Sequence, residues 1–390
     1  MRAGRYVRQF QGYRAFIPSP LPPDPSVRFD GELASLLSQA DRALGRLDGV
    51  SSILPNPDLF VAMYVRHEAV LSSQIEGTQS TLEDVLEYEL DERGAKRAKD
   101  DAEEVVNYIA AMNHGLKRLE TLPLSLRLLR EIHSKLMEGV RGSERSPGEF
   151  RTSQNWIGPH NCTLKTATFV PPPPHEMEAA LSHLEKFLHA PGDLPTLIVC
   201  GLAHAQFETI HPFLDGNGRV GRLLIPLLLC ERRILERPLL YLSVYLKAHR
   251  AEYYDRLTAV RTAGDWEGWL RFFLRGVVEV SAASTNTARS ILKLREASRQ
   301  KLSSNAQAVR LLDHLFEYPL LSVRAAEQFL ACSYVTAATA IEQLEQAGLL
   351  RETTGQKRNR LYRYDPYLAL FEQHGLGTQE RDGEGRPAER

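Results

Sequence analysis

The segment 211–222, HPFLDGNGRVGR, constrains this chain of 390 residues more than any other feature. It follows an apolar run of helical character, TLIVCGLAHAQFETI at 196–210, and precedes a second apolar run that extends to Cys230. Asp215 to Gly218 have the composition of a turn, because glycine adopts positive φ angles without steric cost. The sequence therefore predicts a helix, a tight loop and a second helix that begins with glycine-rich sequence.

The residue types in this segment fit the chemistry of phosphate groups. A glycine-rich loop that enters a helix exposes backbone N–H groups at the positive end of the helix dipole, which favours phosphate oxygens. Arg219 and Arg222 are three residues apart and share one side of the first helical turns. Asp215 supplies an oxygen ligand suited to Mg²⁺, and His211 can accept a proton near neutral pH. Taken singly, such a turn is more often a solvated helix cap and such a histidine a core residue, but the combination predicts a nucleotide site.

The pattern HxFxDGNGRxxR in 211–222 resembles the signature of the Fic family, and every fixed position of that signature is present. The resemblance implies an enzyme that uses ATP and Mg²⁺, transfers AMP to a Ser, Thr or Tyr hydroxyl of a protein, and releases pyrophosphate. It assigns the general base to His211, the metal ligand to Asp215, the anion hole for the α- and β-phosphates to Gly216, Asn217 and Gly218, the β-phosphate to Arg219 and the γ-phosphate to Arg222. Glycine at position 218 favours AMP transfer, since a lysine there accompanies relatives that transfer the γ-phosphate.

Two further segments extend the resemblance. Residues 150–174 contain two short β-like runs, QNWIG and ATFVP, and resemble the family's flap, a hairpin whose edge pairs with a target segment. Ile157 is the flap side chain that we expect to hold the target. Residues 239–277 resemble the helical segment that closes the adenine pocket, where Tyr254 matches a position that contacts the base. The alternative, that Tyr253 and Tyr254 only straddle core and surface, stays open.

Upstream, VRHEAVLSSQIEG at 65–77 predicts a helix that ends at Glu76, with Gly77 as its stop. Ser72 together with Glu76 and Gly77 resembles the inhibitory motif of one Fic class. In that class the glutamate forms a bidentate pair with the second arginine of the signature, here Arg222, and occupies the place of the γ-phosphate. The resemblance therefore implies autoinhibition by Glu76, and the same carboxylate could activate water to remove AMP from a modified target. A plain helix cap is the competing interpretation, since helices that end in Glu-Gly are common.

The C-terminal part of the chain has a different pattern. Three helix-like runs are followed by LLRETTGQKRNRLYRY at 349–364, which predicts a two-stranded wing, and this order indicates a winged helix-turn-helix. The wing carries Lys357, Arg358, Arg360 and Arg363, which suit nucleic-acid phosphates. The third helix offers no arginine to recognise guanine, however. DNA binding and protein docking therefore stay open as alternatives.

These segments together predict a mainly α protein, with a Fic-type helical bundle, a β-hairpin flap and a C-terminal winged helix-turn-helix domain. The predicted parts are an extended arm at 1–30, a helical region with the inhibitory helix at 31–125, the catalytic core at 126–280, a polar linker helix at 281–304, the winged helix at 305–370 and a disordered tail at 371–390. The flap is the only strand-like stretch that we expect in the first 300 residues.

The composition excludes several other classes of protein. The 48 Lys and Arg residues nearly balance 49 Asp and Glu residues, so no global charge attracts nucleic acid or anionic membrane. Since no apolar run is long enough to span a bilayer and the N-terminus lacks signal-peptide character, we expect a cytoplasmic protein. The four scattered cysteines form no CxxC pair, which argues against a zinc site or a disulfide framework.

Three functions stay open after the sequence is considered alone. The leading hypothesis is an AMP transferase that modifies a partner protein or itself. The second is a winged-helix regulator of DNA whose Fic body senses nucleotide. The third keeps the fold but uses another phosphodiester donor, such as UTP or CDP-choline. A homodimer with the glutamate–arginine contact across it is a further alternative.

Overall fold

The computed structural model describes residues 2–52, 57–91, 100–159, 161–302 and 305–372, and the prediction of a mainly helical chain is confirmed. The first part contains β1 (Gly4–Arg8), β2 (Arg14–Pro18), α1 (Gly31–Ser52), α2 (Pro57–Ile75), α3 (Leu82–Asp91), α4 (Asp100–Leu119) and α5 (Leu126–Leu136). The central part contains α6 (Pro174–His189), α7 (Thr196–Ile210), α8 (Asn217–Glu231), α9 (Ser243–Ala248), α10 (Arg250–Ala263) and α11 (Trp266–Lys301). The last part contains α12 (Ala306–Leu315), β3 (Leu320–Ser322), α13 (Val323–Leu330), α14 (Tyr334–Gln346), β4 (Arg351–Glu352), β5 (Leu361–Arg363) and α15 (Asp365–Glu372). None of the described helices is both long and apolar enough to cross a bilayer.

Helices α7 and α8 form the centre of the bundle. Every residue of α7 from Leu197 to Ile210 is buried, because apolar side chains occur on all sides of this helix and the bundle encloses it. Helix α8 buries Leu223 to Leu229 and continues through Pro226. The long helix α11 packs along α1 on one side of the bundle. The loop between α7 and α8 is therefore held at both ends by fully packed helices.

The N-terminal arm contains a hairpin that the sequence analysis did not predict. Strands β1 and β2 pair antiparallel, with Tyr6 opposite Phe16. The Phe16 ring is completely buried, and its backbone N–H donates to the carbonyl of Val170 at 2.9 Å. Strands of five residues with arginines at their ends give a weak sequence signal, and only the burial of Phe16 against the body reveals the pairing.

We expect Phe16→Ala to lower the free energy of unfolding by about 3 kcal/mol, because truncation of a buried aromatic ring leaves a cavity. Phe10→Ala is the matched control, since the Phe10 side chain is fully exposed and lies in the turn between the two strands. The control should change stability by less than about 0.5 kcal/mol. Urea denaturation followed by circular dichroism measures both values, and equal losses would contradict the packing of this hairpin.

The predicted linker helix at 281–304 is not a separate element. Its residues up to Lys301 form the second half of α11, which runs without interruption from Trp266, while residues 303 and 304 lie outside the described part. Its hydroxyl side chains are largely buried, and Thr285 Oγ1 donates back to the carbonyl of Ser281 at 2.7 Å. A Ser or Thr hydroxyl on a helix can donate to a backbone carbonyl of the preceding turn, so it can be buried and still keep a hydrogen bond. This segment therefore packs against the bundle although its sequence is polar.

The C-terminal part has the order of elements expected of a winged helix-turn-helix. Helices α12, α13 and α14 accompany a three-stranded antiparallel sheet in the order β3-β5-β4. Ser333 caps α14, with its Oγ accepting the Thr336 N–H at 3.2 Å. The chain then forms α15, which buries Tyr367 and Phe371 and was not predicted. Residues 373–390 of the predicted tail lie outside the described part.

The C-terminal part packs against α2 and α3. The ring of Phe371 meets the ring of Tyr64 edge-on at 5.2 Å, and the Arg66 guanidinium lies over the Tyr318 ring at 5.3 Å. Arg363, expected in the wing to contact phosphate, instead pairs with Glu83 of α3. The C-terminal part thus contacts the helix that leads into Glu76.

Candidate active site

The loop 211–216 turns at two residues with left-handed backbone. His211 closes α7 with φ of 51°, and its N–H still donates to the carbonyl of Phe207 at 2.9 Å. Gly216, with φ of 71°, immediately precedes α8. A left-handed conformation is uncommon outside glycine, and functional sites are where such residues concentrate. The first N–H groups of α8 have no acceptor within the helix, so this end suits an anion.

Asn217 shapes the loop from within. Its Oδ1 accepts the N–H of Phe213 at 2.8 Å, and its Nδ2 donates to the carbonyl of Phe213 at 2.8 Å. The side chain is buried and both of its polar atoms are engaged. The expected contribution of Asn217 to an anion hole therefore falls to its backbone N–H, while the side chain holds the loop closed.

His133 of α5 contacts the loop at Phe213 and Asp215, a role that the sequence did not indicate. Its ring stacks on Phe213 at 3.8 Å between centroids, and its Nε2 lies 3.1 Å from the carbonyl oxygen of Asp215. The Gly148 N–H donates to His133 Nδ1 at 2.8 Å, so the proton of the neutral ring is on Nε2. Burial lowers the pKa of His133 to about 4, which keeps the ring neutral. A single histidine in α5 gives no local sequence signal for this contact.

Arg151 and Asn155 tie the segment that follows Phe150 to the same loop. Arg151 Nε donates to the carbonyl of His211 at 3.0 Å, and a second nitrogen of Arg151 donates to Pro172 O at 2.6 Å. Asn155 Nδ2 donates to the carbonyl of His211 at 3.1 Å and to that of Phe213 at 2.8 Å. The carbonyl groups that α7 leaves unpaired are satisfied by distant side chains, which sequence reasoning did not identify.

The His211 side chain is half-buried beside these contacts, and its Nδ1 has no hydrogen-bond partner among the described residues. Burial lowers the pKa of His211 to about 4, although the nearby Glu76 carboxylate acts in the opposite direction. The ring is therefore neutral at pH 7 and able to accept a proton.

Glu76 reaches the predicted arginine. Its Oε1 accepts a hydrogen bond from Arg222 Nη2 at 2.7 Å, while Arg222 Nε donates to Ser72 Oγ at 2.8 Å. The pair is therefore made through one carboxylate oxygen, and the expected bidentate geometry is replaced by a contact shared with Ser72. Burial alone would raise the pKa of Glu76, but the Arg222 guanidinium more than offsets this and the pKa lies below its usual value. Glu76 is thus ionised at neutral pH.

Gly218 makes room for this contact. A Cβ atom at position 218 would lie 2.2 Å from Glu76 Oε1 and 2.9 Å from Arg222 Nη1. Any larger side chain would push the carboxylate away from the guanidinium. The glycine that the signature requires is therefore also what lets Glu76 approach the first turn of α8.

Arg219 has a partner that the sequence did not reveal. Its Nη1 donates to Glu104 Oε2 of α4 at 3.2 Å, and both side chains are buried. Its Nη2 lies 3.8 Å from Asp215 Oδ1. Glu104 belongs to an acidic run, DDAEE, in which periodicity marks no residue as functional.

Asp215 presents a partly exposed carboxylate at the edge of the loop. Its Oδ1 accepts the N–H of Gly216 at 2.7 Å, and its Oδ2 lies 3.4 Å from Arg145 Nη1. Among the residues described, no cluster of three or more His, Cys, Asp or Glu side chains could enclose a metal ion. Asp215 is therefore a single carboxylate, and any metal here would need most of its ligands from elsewhere.

The predicted flap lies in residues 150–174, and the predicted adenine contact, Tyr254, lies on α10. The flap contains a single β-bridge, in which Ile157 and Phe169 exchange hydrogen bonds of 2.8 and 3.0 Å. Tyr253 is buried and its hydroxyl lies 2.9 Å from His204 Nε2, so it is a core residue. Tyr254 is 41% exposed. Partial burial raises the pKa of Tyr254, and the Arg250 guanidinium lies over its ring at 5.8 Å.

Comparisons with known families agree with this geometry. Residues 34–117 match the Fic/DOC family N-terminal region, and residues 123–229, which include the whole loop, match the Fic/DOC family itself. These two segments of the chain are therefore similar to the Fic/DOC family. The resemblance in 211–222 is thereby confirmed.

Curated relatives carry the same Fic region. The protein adenylyltransferase Fic of Aedes aegypti is 34% identical over 152 residues, which cover 38% of this chain and 27% of the relative. The protein adenylyltransferase Fic of Drosophila grimshawi is 30% identical over 205 residues, which cover 51% of this chain and 38% of the relative. The matches thus cover well under half the length of these relatives.

The fold resembles a solved Fic structure over most of its length. A Fic family protein from Desulfovibrio desulfuricans G20 superposes with a TM-score of 0.56 at 20% identity, over 87% of this chain and 97% of that one. The likeness supports a shared fold that extends beyond the Fic region.

Proposed function

We propose that this protein is a protein adenylyltransferase that moves AMP from ATP to a protein hydroxyl and is held inactive by Glu76. The contact between Glu76 and Arg222 at 2.7 Å carries the proposal, because it places a carboxylate at the first turn of α8. The names of the curated relatives, which are protein adenylyltransferases, support the same activity.

The start of α8 offers the groups that a triphosphate needs. Its free N–H groups and the guanidinium groups of Arg219 and Arg222 supply positive charge within one helical turn. Mg²⁺ commonly binds through one or two carboxylates together with substrate phosphates and water, and the lone carboxylate of Asp215 fits that mode. When bound, the ion would neutralise charge on the phosphates. The exposed ring of Tyr254 would stack on the adenine.

The proposed reaction needs one proton acceptor and one oriented phosphate. His211 would take the proton of the target hydroxyl while its oxygen attacks the α-phosphorus, and the bond to the β-phosphate oxygen breaks as pyrophosphate leaves. The backbone N–H groups at Asn217 and Gly218 would stabilise negative charge at the α- and β-phosphates, and Arg219 would hold the β-phosphate. The edge of the flap near Ile157 would pair with the target and bring its hydroxyl to His211.

Glu76 would inhibit by occupying the place of the γ-phosphate. Arg222 cannot donate the same N–H groups to Glu76 and to a phosphate, and two anions on one guanidinium repel each other. ATP would then bind with its α-phosphate out of line with the target hydroxyl. The same ionised carboxylate could activate water for removal of AMP from a modified target.

A labelling experiment tests the activity and the donor. The Glu76→Gly variant is incubated with ATP, UTP or CDP-choline, each labelled in the group that would be transferred, and protein-bound label is counted after denaturing separation. We expect label from ATP on the variant itself or on a partner protein. Label from another donor alone would show a different phosphodiester transfer, and nucleotide binding without label would favour a nucleotide-sensing regulator.

The wing supports a second proposal, binding of duplex DNA by the C-terminal part. Lys357, Arg358 and Arg360 are exposed and make no ion pair with any described residue. Such cations suit a phosphate backbone. Titration with random-sequence duplex at two salt concentrations checks this, since phosphate contacts weaken as salt is added.

A further inference from the structure

Glu104 of α4 contacts both Arg219, in the first turns of α8, and Thr78, two residues after Glu76. Its Oε2 accepts hydrogen bonds from Arg219 Nη1 at 3.2 Å and from Thr78 Oγ1 at 3.4 Å. The exposed Arg141 side chain approaches Oε1 at 3.6 Å. Burial of a carboxylate is costly unless it is paired, so these contacts fix where the Glu104 side chain lies.

Arg219 donates from Nη1 to Glu104, and its Nη2 has only a weak acceptor, Met137 Sδ at 3.6 Å. Glu104 holds Nη1, whereas Arg219 Nε is buried and donates to no described residue. The next carboxylate is Asp215, whose Oδ1 lies 3.8 Å from Nη2. Without Glu104, the buried guanidinium would be drawn to Asp215, and its unpaired N–H groups would turn away from the phosphates.

The contact with Thr78 reaches the inhibitory segment. Thr78 is buried two residues after Glu76, in the turn that follows α2. The next residue, Gln79, donates its backbone N–H to Asp101 Oδ2 at 2.8 Å. The segment that follows Glu76 thus makes two hydrogen bonds to α4, and the one from Thr78 is buried.

We propose that Glu104 is a positioning residue with two effects: it orients Arg219 toward the nucleotide phosphates and, through Thr78, it anchors the turn that places Glu76 on Arg222. The proposal rests on the proposed function and extends it to a residue outside both motifs. Loss of the contact with Arg219 should weaken nucleotide binding, whereas loss of the contact with Thr78 should weaken inhibition.

Two variants separate these effects. Glu104→Gln in the Glu76→Gly background should weaken ATP binding by about tenfold in calorimetry and raise KM for ATP more than it lowers kcat, because a charge-assisted hydrogen bond is lost. Thr78→Val with Glu76 intact replaces the hydroxyl with a methyl group of similar size, and should raise AMP incorporation by about three- to tenfold. In the Glu76→Gly background the Thr78 change should alter incorporation by less than about twofold. Glu103→Gln, one residue earlier on α4 and half-exposed, is the matched control and should leave both measurements within about twofold.

Unchanged or tighter ATP binding in Glu104→Gln would overturn the role toward Arg219. Unchanged incorporation in Thr78→Val, with circular dichroism showing an intact fold, would overturn the role toward Glu76. A general loss of folding predicts less incorporation in every background and cannot produce the expected gain. Calorimetry measures ATP binding and does not depend on AMP transfer. Failure of the proposed activity is therefore recognised separately, because the Glu76→Gly variant without further changes would then incorporate no label.

Discussion

Glu76→Gly is expected to raise AMP incorporation from ATP by roughly 10- to 100-fold. The change removes a charge-assisted hydrogen bond to Arg222, worth about 1.5–3 kcal/mol, and each 1.4 kcal/mol is about tenfold in an equilibrium. It also frees the space that Glu76 Oε1 occupies above Gly218. The effect is measured as incorporation of labelled AMP by the parent protein and by the Glu76→Gly variant at equal protein concentration.

Two comparisons show whether the carboxylate acts as a charge at the γ-phosphate. Glu76→Gln keeps the size of the side chain but not its charge, so its activity should fall between those of the parent and Glu76→Gly. ADP has no γ-phosphate, so its affinity should differ by less than about threefold between the parent and Glu76→Gly. Incorporation of AMP from ATP should differ strongly between the same two proteins. Equal incorporation by the parent and both variants would rule out autoinhibition by Glu76.

His211→Ala in the Glu76→Gly background is expected to lower incorporation by about 10²- to 10⁴-fold, the range typical of a general base. ATP affinity should change little, because the phosphates are held at α8. His175→Ala is the control, since this histidine of α6 is exposed and its only described ion pair is with the neighbouring Glu176. Loss of incorporation in both histidine variants, or in neither, would contradict the assignment of His211.

The pH dependence gives a second test of the same residue. Burial lowers the pKa of His211 to about 4, and the base must be neutral to accept a proton. Incorporation should therefore stay level from neutral pH down to about pH 5 and fall as pH approaches the pKa. Since the Glu76 carboxylate raises this pKa, the fall in Glu76→Gly should begin at still lower pH. A midpoint near 6.5, the usual histidine value, would show that the ring is solvated in the working enzyme.

The sequence predicts most reliably those features that depend on neighbouring residues. The helix–loop–helix at 211–222 follows from turn-forming residues between apolar runs, and the order of elements in the C-terminal part follows from its caps and periodicity. The hairpin at 4–18 and the continuous helix α11 were missed, because short strands and buried hydroxyls give weak local patterns.

The sequence by itself determined where an anion could bind: glycines that permit left-handed backbone, a helix that starts immediately after them, and arginines one helical turn apart. Only the tertiary structure decided what surrounds that place, since Glu104, Arg151 and His133 come from segments far away in the chain. Turn conformation and helix starts are properties of adjacent residues, whereas the partners of a buried guanidinium or of the carbonyls at a helix end depend on which distant elements pack beside them.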